Sequence, residues 1–292
     1  MRNPESNFFE PPRESAVSKS IGGSAEERRV AGEFYKNIFE NQPTARWERE
    51  KTVEEFEAIA EINENLKKFV GNYGGQWLEI KPENIHIIDL KKLNKEQRDE
   101  APMVRWNAYY DSDKQGIVMF AEGGLPCFYQ NLLHEMLHLN SFNSFDLSKQ
   151  TVAGRGVDRR TGLNVYVAKD KEELEKGQKS YFSDLDEAVI AELQIRFTKK
   201  FLGGDFEPSY AAERKFLKSL IKKIYEKNRG EFESKEEVFK LFADATISGR
   251  LLPLARAVEK TFGKGYFRDL GALTQTRNKL GLDNTTINLD DI

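Results

Sequence analysis

The chain has 292 residues, enough for one two-lobed domain or two small ones. Hydrophobic residues make up 39% and charged residues 32%, so a buried core and a well-solvated surface are both within reach. With 45 Lys and Arg against 48 Asp and Glu, the formal charge is −3, which gives no reason to expect nucleic acid or a membrane as partner.

Residues 1–25 are rich in Pro, Ser, Glu and Gly and read as a mobile leader. They contain no apolar run of signal-peptide length, and no later stretch approaches the ~20 apolar residues of a membrane span. Cytoplasmic location is the resulting expectation, with export lacking a signal peptide as the other route.

Residues 26–75 form an N-terminal helical segment. Val30, Phe34, Ile38 and Phe39 recur at helical spacing, as do Val53, Phe56, Ile59, Ile62, Leu66 and Val70. Gln42-Pro43-Thr44 separates two helices, and Gly71 to Gly75 stops the second. By position alone, this segment is either an inhibitory flap or a further face of the core.

The β-branched Asn84–Leu90 reads as a strand, followed by Trp106–Tyr110 and Gly116–Phe120 around a polar turn. A loop over 121–126 leads into a helix from about Phe128 to Asn140. Cys127, the single cysteine, rules out an intrachain disulfide and a Cys-rich metal site, and fits a reducing compartment. Residues 141–183 look largely irregular, with a hairpin at Arg160-Thr161-Gly162 and a strand Leu163–Val167. Helices resume from Asp184 to Phe201 and continue to about Leu273, before a polar tail over 274–292. The sum is an α+β fold with its main domain over 76–273.

His134-Glu135-Met136-Leu137-His138 carries the chemistry. Four residues span slightly more than one helical turn, so both imidazoles leave one face and can share one ion. Glu135 lies about 100° round the helix, where it can take a proton from a water on that ion. The plainer alternative is a helix with two surface histidines, although the chain holds only three in all. A hydrolytic zinc needs a third protein ligand and an open position. Ser141 and Ser144 stand where a metzincin would have Gly and a third His, and His86 on its strand reads as a core or surface histidine. A downstream carboxylate remains.

Phe182-Ser183-Asp184-Leu185-Asp186-Glu187-Ala188 resembles the Phe-x-x-Leu-Asn/Asp-Glu-Ala segment of gluzincins, zinc peptidases whose third ligand is a glutamate on a later helix. Arg159-Arg160-Thr161-Gly162-Leu163 resembles the Arg-x-Gly-Leu hairpin of their small bacterial members, the minigluzincins, and Phe262–Leu270 is similar to a segment near their C-terminus. The resemblance covers roughly residues 80–273. It implies a zincin-like fold, with a small strand-rich lobe, a central metal helix and a helical C-terminal lobe. It further implies Glu187 as third ligand, 49 residues after His138. Where many members have a carboxylate four residues beyond that ligand, this chain has Ala191. Either Glu192 reaches in, or Asp186 or Asp184 orients a histidine.

The implied activity is that of a zinc-dependent endopeptidase acting on peptides or proteins through a metal-bound water activated by Glu135. Tyr181 and Tyr210 are the candidate donors to the developing oxyanion. Gly116–Phe120 occupies the place of a substrate-pairing edge strand, and reads equally well as an interior strand. The competing readings are a latent zymogen and a non-catalytic helical interaction protein that retains the metal motif.

Overall fold

A computed structural model describes residues 13–45, 47–96, 107–112, 114–120, 124–146, 159–167, 179–203 and 209–280. Two helices open the chain, α1 (Ala25–Glu40) and α2 (Val53–Gly71). Each starts at a capping box. The Ser24 hydroxyl accepts from the Glu27 N–H while the Glu27 carboxylate accepts from the Ser24 N–H, and Thr52 and Glu55 repeat the exchange. Asn and Gly residues after Gly71 end α2.

Strands β2 (Ile85–Ile88), β3 (Ala108–Asp111) and β4 (Gly116–Phe120) form a three-stranded sheet in the order β2-β4-β3. β4 runs parallel to β2 and antiparallel to β3, with Ile87 opposite Met119 and Tyr110 opposite Ile117. Helix α3 (Gly124–Asn140) follows, starting a turn earlier than the apolar pattern suggests. A second sheet joins β1 (Lys19–Ile21), β5 (Asn143–Asp146), β6 (Arg159–Thr161), β7 (Asn164–Val167) and β8 (Lys179–Tyr181) in that order. The C-terminal lobe is α4 (Ser183–Phe201), α5 (Ala211–Lys227), α6 (Lys235–Ser248), α7 (Leu251–Phe262) and α8 (Tyr266–Leu280). The class is α+β. No helix among the described residues is long and apolar enough to cross a membrane.

One core runs through both lobes. Ile62 and Leu66 of α2, Leu132 and Met136 of α3, Val189 and Phe197 of α4, Leu220 of α5 and Phe242 of α6 are all completely buried within it. Burying each such side chain stabilises the fold by about 1.5–3 kcal/mol relative to exposure. α2 therefore belongs to the main core and packs directly on α3. α1 is more peripheral: it buries Tyr35 and Phe39 but leaves Val30 and Phe34 exposed.

Three expectations change. Residues 1–12 lie outside the described residues, but 13–25 are not a free leader. β1 pairs in parallel with β5, Lys19 opposite Ser144, and Arg13 is buried against the end of α3. The described residues of 141–183 form four short strands rather than a hairpin and one strand in an irregular stretch; the expected hairpin stands at β6–β7. The polar tail is helical as far as Leu280, and 281–292 lie outside the described residues.

Candidate metal centre

The facing of α3 and α4 sets the site. His134 and His138 leave α3 one turn apart, and Glu187 leaves the second turn of α4 toward them. His134 Nε2 stands 3.1 Å from Glu187 Oε2, and His138 Nε2 stands 3.4 Å from the same oxygen. The two Nε2 atoms are 3.2 Å apart. Donors 2.0–2.1 Å from one tetrahedral centre are about 3.3–3.4 Å from each other, so these three can hold a single small cation.

The neighbours of the rings support that geometry. His134 Nδ1 is 3.3 Å from Gln194 Oε1, and the Gln194 amide is oriented because its Nε2 donates to the Gln130 carbonyl at 2.8 Å. His138 Nδ1 faces Asp186 Oδ2 at 3.5 Å. Each Nδ1 atom thus faces an acceptor, an arrangement that favours the tautomer leaving Nε2 open toward the carboxylate. Three electron-rich atoms aimed at one point repel each other unless a positive charge sits among them.

Without an ion, a proton fills that role. Burial opposes the His138 imidazolium, but the charge and hydrogen bond of Glu187, with Asp186 and Glu135 adding, raise its pKa to about 10. Burial likewise pushes Glu187 up, yet the two imidazoles prevail and hold it below the ordinary carboxylate range. Asp186 rises to about 6, chiefly through burial, although His138, the Leu163 N–H and Arg160 favour its charged form.

Glu135 is buried beside the cluster. Burial, reinforced by the charge of Glu187, raises its pKa against the pull of the imidazoles and an N–H from Tyr110. The cleft over these residues measures about 660 Å³. Its walls are β3, the exposed side of α3, the cleft-facing side chains of β6 and β7, and Tyr210. Tyr210 sits at the head of α5 with φ 66°, a left-handed conformation costing a non-glycine residue about 1–2 kcal/mol. There its ring stacks on His134 at 5.6 Å and 14°. Burial, the charges of Glu187 and Glu135, and a hydrogen bond to Glu187 keep its phenol protonated above the usual range.

No family model, curated protein or solved structure matches the chain.

The β6–β7 turn and the start of α8 both pack on the head of α4, at Asp186 and Phe182. The β6–β7 turn presses Gly162 against Asp186, and the Leu163 N–H donates to Asp186 Oδ1 at 2.7 Å. At the head of α4 the Phe182 ring packs on Phe267 at 4.9 Å and fills the space a side chain at Gly271 would need.

Several candidates are not brought to the site. Tyr181, on β8, packs on the core and does not line the cleft. Glu192 points away from the histidines, 3.0 Å from each of Arg196, Arg214 and Lys218. Asp184 lies off the cleft, leaving Asp186 as the carboxylate facing a histidine. His86 is a buried core histidine, its Nδ1 2.9 Å from Glu48. β4 is the middle strand of its sheet; the edge beside the cleft is β3. No described residue from 13–75 lines the cleft, so α1 and α2 do not cover it.

Two cleft residues escaped sequence reasoning. Gln194 stands two turns beyond Glu187 on the same helical face, a spacing that would have revealed it. Tyr166 shares a strand face with Asn164, whose Nδ2 donates to its hydroxyl at 2.9 Å.

Proposed function

We propose that this protein is a zinc-dependent endopeptidase of the gluzincin type, zincin-like in fold, with His134, His138 and Glu187 as the metal ligands. The observation that carries this reading is the triangle of three donor atoms with the buried Glu135 beside it. Two imidazoles and one carboxylate suit zinc among the common divalent ions. When bound, zinc supplies a Lewis acid that polarises a carbonyl and lowers the pKa of a water toward 7.

This chain's own residues supply the rest. β3, the outer strand of its sheet among the described residues, borders the cleft and is the element along which an extended polypeptide would lie. Glu135 takes a proton from the attacking water and returns it to the departing amine. A buried carboxyl with a raised pKa is matched to both halves of that exchange. The Tyr210 hydroxyl, kept protonated, donates to the oxygen that gains charge. Gln194 and Asp186 hold the two imidazoles in the tautomer that metal binding requires.

The test is direct. Purified protein should hold one zinc per chain and cleave an unfolded protein substrate, and Glu135→Gln should keep the zinc while losing the cleavage. Equal turnover by that variant would remove Glu135 from the reaction, and a chain that binds no divalent ion would end the peptidase reading.

A further inference from the structure

Two adjacent arginines on β6 have opposite fates. Strand residues alternate between faces, so Arg159 and Thr161 share one side and Arg160 takes the other. Arg160, the arginine of the hairpin motif, is held by backbone carbonyls: Nε donates to Gly162 at 2.7 Å, and its terminal nitrogens donate to Ala245 at 2.7 Å and Gly249 at 3.3 Å. Arg159 turns into the cleft instead, on the same face as Thr161 and across from Tyr166.

Arg159 is the one Lys or Arg side chain among the described residues that line the cleft. Its guanidinium carbon lies 4.4 Å from the Tyr166 ring centroid, a cation–π contact that orients the flat group. Burial raises the Tyr166 phenol, the charge and hydrogen bond of Arg159 oppose that rise, and the charges of Asp186 and Glu187 add to it. The guanidinium thus shares one cleft with His134, His138 and Glu187. A planar fork of N–H donors matches a carboxylate and opposes an ammonium.

We propose that Arg159 recognises a substrate carboxylate in the cleft, either an acidic side chain near the scissile bond or a free C-terminus. This rests on the peptidase reading above and deepens it, by making the enzyme selective for anionic peptides. Arg159 is then a specificity residue, with no part in the bond-breaking step.

Two pairs of fluorescent peptides separate the sources of the carboxylate. One pair differs by Glu or Gln beside the cleaved bond, and the other ends in a free acid or an amide. Each is measured for turnover by zinc-loaded wild type and for affinity to Glu135→Gln, with and without Arg159→Gln. The expected result is a 10- to 100-fold preference for the anionic member of at least one pair, the size of one charge-assisted hydrogen bond. Arg159→Gln should reduce that preference to near unity without slowing the neutral peptide, and Arg159→Lys should retain part of it. Equal handling of both pairs by wild type overturns the proposal, as does a preference that survives Arg159→Gln at unchanged melting temperature. Because affinity is read without turnover, a protein that cleaves nothing defeats the peptidase reading, while the binding ratios still decide the role of Arg159.

Discussion

Gly162 and Asp186 stand so close that a Cβ on the glycine would lie 2.3 Å from Asp186 Oδ1. Gly162 also has φ +59°, so any side chain there is strained as well as crowded. The neighbour that must yield is the carboxylate facing His138, which connects a turn in the second sheet to one of the proposed ligands. Gly162→Ala should therefore shift Asp186 and weaken zinc binding by about 10- to 100-fold, the usual effect of losing a ligand's outer partner. Competition against a chromogenic chelator measures it. Unchanged affinity with a lowered melting temperature would make the contact structural only.

A pH profile follows from the raised pKa of Glu135. The proposed catalysis needs the carboxylate, and a raised pKa lets the inactive acid persist to higher pH. The acidic limb of kcat/KM should accordingly fall above the ordinary glutamate value of about 4.3. Glu135→Asp, with a shorter reach, should cut the rate while leaving one zinc bound. A limb at or below 4.3 would assign the titration to another group.

Zinc and a proton compete for His138 Nε2. Since the ion-free imidazole is raised to about 10, loading at pH 8 should release about one proton per ion from this residue. Calorimetry in buffers of different ionisation enthalpy counts it. The stability signs oppose each other. In chelator-treated protein the raised His138 pKa contributes stability that is complete below the unfolded value of about 6.5 and disappears as pH rises through about 10. Zinc affinity gains as the proton leaves, so the rise in melting temperature on adding zinc should grow between pH 6.5 and 9. A constant rise would show that no proton is displaced.

Much of this centre is legible in the chain because it is written in helices. The i, i+4 histidines of α3 and the acidic α4 segment obey a local period, and only the facing of two helices was left to tertiary structure. The sheets are another matter. β1, β6 and β8 have three residues each, too few for alternation to register, and the partner of β1 lies far off in sequence. Likewise nothing local says whether Gly116–Phe120 is an edge or a centre. That depends on β2 and β3 both pairing with it. Tyr166 was hidden for the same reason, while Tyr181, equally plausible by sequence, turned out to pack on the core.

The N-terminal strap offers the sharpest contrast between position and contact. Before the fold is known, residues that precede a complete site suggest inhibition, and removing them should then raise activity. Arg13 points the other way. Its guanidinium donates to Leu139 at 3.2 Å, Ser141 at 3.2 Å, Ala16 at 3.0 Å and the Ser18 hydroxyl at 2.6 Å, so it caps the C-terminus of the helix that carries both histidines. Burial lowers its pKa to about 10, which leaves it charged at neutral pH. β1 meanwhile pairs with β5 just beyond that helix end. Arg13→Met would strand buried carbonyls at a cost of about 1–3 kcal/mol each, partly relieved by water. Deleting residues 1–22 should therefore lower the melting temperature by several degrees and weaken zinc binding, with activity falling in step. Thermal melts and chelator competition on the truncated chain check this, and a rise in hydrolysis at undiminished zinc content would restore the inhibitory role.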